Sequence, residues 1–287
     1  MEHAVGFIGL GVMGQSMAGH LLDAGYRLRV YSRTPQKADA LLACGAQWGD
    51  SPAAVAQACG VVFTIVGFPQ DVADVYLGEH GLIENLRPGT VLVDMTTSDP
   101  ALAVRLAGAA SQRGGKVLDA PVSGGDTGAR AGTLSIMVGG DRDGFERVLP
   151  LLECMGKNIV YQGPAGSGQH CKLCNQIAIA ANMLGVCEAI AYAQKAGLDP
   201  ETVLQSISAG AAGSWSLSNL APRMLRGDFD PGFFVKHFIK DMGLAAASAD
   251  ALDLDTPGLD TALARYRQLA EAGGEDLGTQ ALFKLYR

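Results

Sequence analysis

Short apolar runs alternate with helix-period segments through the first half of the chain. The runs fall at residues 4–8, 28–31, 61–66, 90–94, 116–118 and 134–138. Short runs of this kind suit buried strands. Between them, apolar residues recur at three- and four-residue spacing over 37–42, 52–58 and 100–110. Thr34-Pro35, Ser51-Pro52 and Asp99-Pro100 each set a capping side chain before a proline at the first helical position. Strands alternating with helices predict right-handed crossovers and a mainly parallel, doubly wound sheet.

The pattern changes near Gly163. One long helix is expected from about 168 to 196, stopped by Gly197. At 1.5 Å per residue it is roughly 40 Å long. Further helices are expected over 200–208, 216–225, 234–252, 257–272 and 279–286. The chain therefore divides into an α/β domain of residues 1–163 and an all-α domain of residues 164–287, joined by the long helix.

The first strand runs into Gly9, Gly11 and Gly14 at G-x-G-x-x-G spacing, and an amphipathic stretch follows over 15–24. Strand, glycine turn and helix in that order are the context in which this motif binds a dinucleotide. Gly9 permits the tight turn, Gly11 lets a pyrophosphate approach the backbone, and Gly14 lets helix and strand pack closely. The helix N-terminus then presents unpaired N–H groups to the phosphates. A cofactor with a free ribose 2′-hydroxyl calls for a carboxylate at the end of the second strand. Here Tyr31 is followed by Ser32, Arg33 and Thr34. Arg33 suits a 2′-phosphate instead, so NADP is favoured and NAD remains possible.

Composition narrows the function classes. The 287 residues carry 22 Lys and Arg against 29 Asp and Glu, a net charge of −7. That balance disfavours nucleic acid and anionic membrane surfaces as partners. The apolar stretch 177–193 is interrupted by Asn182 and Glu188, so it reads as a core helix rather than a membrane span. No charged segment followed by an apolar one opens the chain, which favours a cytoplasmic protein with reduced thiols. Among the six cysteines, Cys171 and Cys174 form C-x-x-C beside His170. No second pair at zinc spacing accompanies them, and no metal is expected.

Three further segments carry chemistry. Residues 119–125 read D-A-P-V-S-G-G, residues 163–175 read G-P-A-G-S-G-Q-H-C-K-L-C-N, and Lys240-Asp241 sit within F-I-K-D-M-G-L-A. The Ser123 hydroxyl and the approachable backbone of Gly124 and Gly125 suit a substrate carboxylate. Lys172 falls in the first turns of the long helix, where the helix dipole disfavours an ammonium ion and promotes proton exchange. Asn175 follows three residues later on the same face.

Together with the glycine turn, these segments resemble the β-hydroxyacid dehydrogenase family. That family includes 3-hydroxyisobutyrate dehydrogenases, tartronate semialdehyde reductases and succinic semialdehyde/glyoxylate reductases. The resemblance covers essentially the whole chain, with the motifs in the same order. It implies an oxidoreductase moving a hydride between NADP(H) and a small hydroxy acid or semialdehyde, of the 3-hydroxyisobutyrate, glycerate or 4-hydroxybutyrate kind. It implies pyrophosphate contacts from Gly9, Leu10, Gly11, Val12, Met13 and Gly14, and ribose contacts from Ser32, Arg33 and Thr34. Val66, Gly67, Phe68, Pro69 and Thr96 would line the nicotinamide side, and Lys240 would reach the cofactor. Ser123, Gly124, Gly125, Asn175, Phe233 and Asp241 would hold substrate, with Lys172 as general acid/base. It further implies homodimers or homotetramers through the helical domain. The alternative is a non-catalytic dinucleotide-binding sensor on the same fold. Two segments depart from the family pattern: the turn V-G-F-P at 66–69, and S-W-S-L at 214–217, whose Trp215 is expected to pack between helices, with lining of the pocket as the alternative.

Overall fold

The structure is a computed structural model and describes residues 4–286. The chain forms two compact units, and the boundary along the sequence falls between Lys172 and Leu173.

The first unit is built on a nine-stranded sheet. Its strands are β1 (Ala4–Ile8), β2 (Leu28–Tyr31), β3 (Gln47–Trp48), β4 (Cys59–Thr64), β5 (Val91–Asp94), β6 (Lys116–Asp119), β7 (Val122–Ser123), β8 (Leu134–Gly140) and β9 (Gly156–Gly163). They lie in the order 3-2-1-4-5-6-8-7, with β9 paired to β8. From β3 to β6 every pairing is parallel. The helices are α1 (Val12–Asp23), α2 (Asp39–Ala43), α3 (Pro52–Ala58), α4 (Pro69–Leu77), α5 (Leu82–Asn85), α6 (Pro100–Ser111), α7 (Gly125–Ala131) and α8 (Arg142–Leu152).

Side chains alternate between the two faces of the strands, so one sheet serves two cores. Phe7, Val30, Val61, Phe63 and Val93 pack on Met17 and Leu21 of α1. Ile8, Val62 and Leu92 pack on Val55, Val72, Tyr76 and Leu106 of α3, α4 and α6. The chain crosses over after β3 to start β4 on the other side of β1, which sets a switch point at the carboxyl ends of β1 and β4.

Helix α9 (Ser167–Lys195) begins in this unit and continues into the next. The second unit adds α10 (Pro200–Ser208), α11 (Trp215–Asn219), α12 (Ala221–Arg226), α13 (Val235–Asp250) and α14 (Pro257–Leu269). By length and composition alone α9 could cross a bilayer. Its Leu173, Ala180, Met183, Val186, Cys187 and Ile190 instead form one wall of a helical core with Phe238, Met242, Tyr266 and Phe283.

Several details differ from the sequence reading, and residues 279–286, expected as a helix of the all-α half, form a 3-10 helix. The helix expected over 216–225 is two helices, broken at Leu220. Thr34 accepts no capping hydrogen bond, and the turn behind it (Pro35–Ala38) is a 3-10 helix, whereas Ser51 and Asp99 cap as expected. Trp215 is 59% exposed. Ser214 caps α11 through the Leu217 N–H, which turns Leu217 inward and leaves Trp215 at the helix start facing out.

Candidate active site

The chain leaves β1 through Gly9, whose φ of 94° excludes other residues without strain. Gly14, in the first turn of α1, packs so closely that an added Cβ would lie 1.9 Å from the Gly9 carbonyl oxygen. Gly11 is different. Its surface is exposed, and a Cβ there would meet nothing within 4 Å. No side chain caps α1 either. Open space before bare helix N–H groups is the cradle a pyrophosphate needs. A dinucleotide therefore fits this turn. Leu10 is fully buried and can offer only its backbone, while Val12 is exposed and Met13 packs on the sheet core.

At the end of β2, Ser32 is buried and its Oγ accepts from the Thr34 N–H. Arg33 projects outward, with one guanidinium nitrogen 2.8 Å from Asp71 Oδ1. The other Asp71 oxygen accepts from the Phe68 N–H at the start of α4. Asp71 was not anticipated from sequence. The Arg33 side chain is 76% exposed. Asp71, by contrast, is only 15% exposed.

The ends of β4 and β5 are tied by a buried polar web. The Val66 N–H donates to Thr96 Oγ (3.0 Å), and the Thr96 N–H donates to Asp94 Oδ1 (3.1 Å). The Thr64 hydroxyl donates to the same Asp94 oxygen and pairs with the Tyr76 hydroxyl at 2.9 Å. Gly67, Phe68 and Pro69 carry the chain from Val66 into α4.

Burial pushes the Asp94 carboxyl up to about 6, although the Thr96 and Thr64 hydrogen bonds oppose the shift. Between pH 4 and 6 the folded protein thus holds a proton that the unfolded chain releases. Stability must fall as pH rises through that window and stay reduced above it. The gap from 3.8 corresponds to about 3 kcal/mol at most. Asp94→Asn keeps an acceptor for both donors. Its urea midpoint should therefore change less between pH 4 and 6.5 than that of the unmodified protein. Parallel midpoint curves would show that Asp94 does not titrate there.

Asp119, at the end of β6, organises the start of α9. One carboxylate oxygen accepts from the Gly166 N–H and the other from the Gln169 N–H, both at 2.8 Å. Burial still holds its carboxyl above the usual range, against the opposing pull of these backbone donors. Gly168 makes the approach possible, because a Cβ there would lie 2.4 Å from the carbonyl oxygens of Asp119 and Met137. Gln169 is fully buried. Its Oε1 accepts from the Ser98 N–H (2.9 Å), and its Nε2 donates to the Thr96 carbonyl (2.7 Å). Lys172, one turn further on, is only 7% exposed. Ser123 closes β7, half-buried, and Gly124 and Gly125 turn with positive φ into α7.

Within the second unit, Asn175 donates to Gln176 Oε1 (2.7 Å), and Gln176 donates to Asp241 Oδ2 (2.6 Å). Lys240 Nζ lies 2.8 Å from Asp241 Oδ1, an ion pair. Asn175, Lys240 and Asp241 are thus joined through Gln176, a residue the sequence reading passed over. Phe233 packs its ring on Phe238, with centroids 5.8 Å apart.

The cysteines are thiols. Burial raises Cys59 to about 11 and Cys187 to about 12, which makes both inert. Among the described residues no group of three His, Cys, Asp or Glu side chains is placed to hold a metal.

Two family models match the chain. Residues 4–163 match the NAD-binding domain of 6-phosphogluconate dehydrogenase. Residues 166–286 match the NAD-binding segment of NADP-dependent 3-hydroxyisobutyrate dehydrogenase. The oxidoreductase YkwC of Bacillus subtilis is 57% identical over 286 residues, covering 100% of this chain and 99% of its own. A 3-hydroxyisobutyrate dehydrogenase-like protein of Arabidopsis thaliana is 51% identical, over 97% of this chain and 83% of its own. Among solved structures, the Mycobacterium tuberculosis 3-hydroxyisobutyrate dehydrogenase with L-serine superposes with a TM-score of 0.90 at 32% identity, covering all of both chains. The glycine turn, the sheet order and these matches agree, and the chain belongs to the β-hydroxyacid dehydrogenase family of NAD(P)-dependent oxidoreductases.

Proposed function

We propose that this protein moves a hydride between NADP(H) and a small acid bearing a hydroxyl near its carboxylate, with Lys172 as general acid/base. The observation that carries this reading is the burial of Lys172 just after a helix start pinned by Asp119 and Gln169. Lysine is rarely buried so far, because removing its charge from water is costly. An amine kept there is poised to exchange a proton.

A dinucleotide held at the Gly9–Gly14 turn would supply or accept the hydride through its nicotinamide. The Ser123 hydroxyl and the backbone N–H groups of Gly124 and Gly125 hold the carboxylate. During oxidation Lys172 Nζ takes the hydroxyl proton, and during reduction it returns that proton to the new alkoxide oxygen. The acids named for neighbouring proteins, 3-hydroxyisobutyrate and L-serine, both carry a hydroxyl on the carbon β to a carboxylate. That pattern supports a 3-hydroxy acid as the substrate class.

Arg33 supports NADP over NAD. Arg33→Ala is expected to weaken NADPH by roughly ten- to a hundredfold, the scale of a lost charge-assisted bond, and to leave NADH within a few-fold. Fluorescence titration with both cofactors checks this, and an unchanged preference would place 2′-phosphate recognition elsewhere.

The second unit exposes Tyr192, Leu198, Leu252 and Leu254. Apolar exposure on this scale supports a homodimer or homotetramer through these helices. Sedimentation velocity at micromolar concentration should show a dimer or larger; a monomer alone would refute self-association.

A further inference from the structure

We propose that Gln169 is a positioning residue that sets the spacing between the nicotinamide side of the site and the proton-exchanging amine. The proposal rests on Lys172 being the general acid/base. Gln169 is fully buried, and its amide is satisfied at both ends by one short loop. It accepts from the Ser98 N–H and donates to the Thr96 carbonyl. Thr96 is the residue whose hydroxyl receives the Val66 N–H, so the same loop also holds the turn after β4. Three residues after Gln169, on the next turn of α9, stands Lys172.

One side chain therefore clamps the loop that would face the nicotinamide to the helix that carries the amine. Asp119 fixes the same helix start through the Gly166 and Gln169 N–H groups. Those bonds hold the helix end to β6. They do not bridge to the 96–98 loop, and Gln169 supplies that link. Hydride and proton move on the same substrate carbon–oxygen unit, so their donors must keep register to within about 1 Å.

Two variants separate positioning from folding. Gln169→Met fills the volume with no hydrogen bonds. Gln169→Glu keeps the shape and, when its carboxyl is neutral, can still accept from Ser98 and donate to Thr96. When ionised it can only accept, and it then opposes the Thr96 carbonyl. Oxidation of 3-hydroxyisobutyrate and L-serine with NADP+ is measured from pH 6 to 9, together with amide exchange at residues 96–98.

In folded Gln169→Met we expect kcat to drop on the order of ten- to a hundredfold. KM for NADP+ should stay within a few-fold, and exchange of the Ser98 amide should rise while that of the β4 and β5 amides does not. Gln169→Glu should match it at high pH and recover toward the unmodified enzyme as pH falls. A folded Gln169→Met with undiminished kcat or unchanged Ser98 exchange overturns the clamp, as does a Gln169→Glu deficit independent of pH. Lys172→Ala keeps the two readings apart. If that variant is inactive while Gln169→Met is fully active, only the clamp fails. If Lys172→Ala is itself active, the acid–base reading fails.

Discussion

Lys172→Ala should lower turnover by roughly two to four orders of magnitude, the usual contribution of a positioned general acid/base. NADPH affinity should change by no more than a few-fold, because the candidate cofactor contacts lie at Gly9–Gly14, Ser32–Thr34, Val66–Pro69, Thr96 and Lys240. Lys172→Arg should be nearly as slow. Its guanidinium keeps the positive charge and cannot release a proton at any accessible pH. The pair of variants thus separates proton exchange from simple charge stabilisation. An active Lys172→Arg with an inactive Lys172→Ala would make the residue an electrostatic anchor. Near-normal turnover in both would remove it from the mechanism.

The amine was legible in the sequence because glycines mark the helix start ahead of it and the helix pattern runs on behind it. The web that holds it was not. Asp94 and Asp119 end their strands and look like ordinary exits, and only strand register sets them side by side on β5 and β6. Gln169 and Ser98 are 71 residues apart, a separation no local pattern can bridge. Asp71 reads as a helix-start carboxylate, and its second role depends on β2 ending beside α4. The same logic explains the missed strands. β3 and β7 have two residues each, too few to show periodicity. β9 is a partly exposed edge strand carrying Lys157, Asn158 and Gln162, so it makes no apolar run. Buried strands and long helices advertise themselves through composition, whereas polar contacts across the sheet become visible only in three dimensions.

The glycines of the first turn give the second large effect, because two of them should fail in opposite ways. Gly14→Ala would drive a Cβ against backbone, the Gly9 carbonyl oxygen, which cannot swing aside as a side chain can. The turn must deform, at a cost of about 1–3 kcal/mol or more, and dinucleotide binding should be lost with the thermal stability. Gly11→Ala meets no such obstacle, and its extended backbone, φ −73° and ψ −168°, is open to alanine. Folding stability should change by less than about 1 kcal/mol. The added methyl would nonetheless stand where a pyrophosphate must approach the α1 N–H groups. Losing one or two charge-assisted bonds would weaken NADPH on the order of a hundredfold. Calorimetry and cofactor titration of the two variants should therefore dissociate: Gly14→Ala unstable and non-binding, Gly11→Ala stable and non-binding. A stable Gly11→Ala that binds NADPH normally would mean the phosphates lie elsewhere, and the open space before α1 would have to be explained without them.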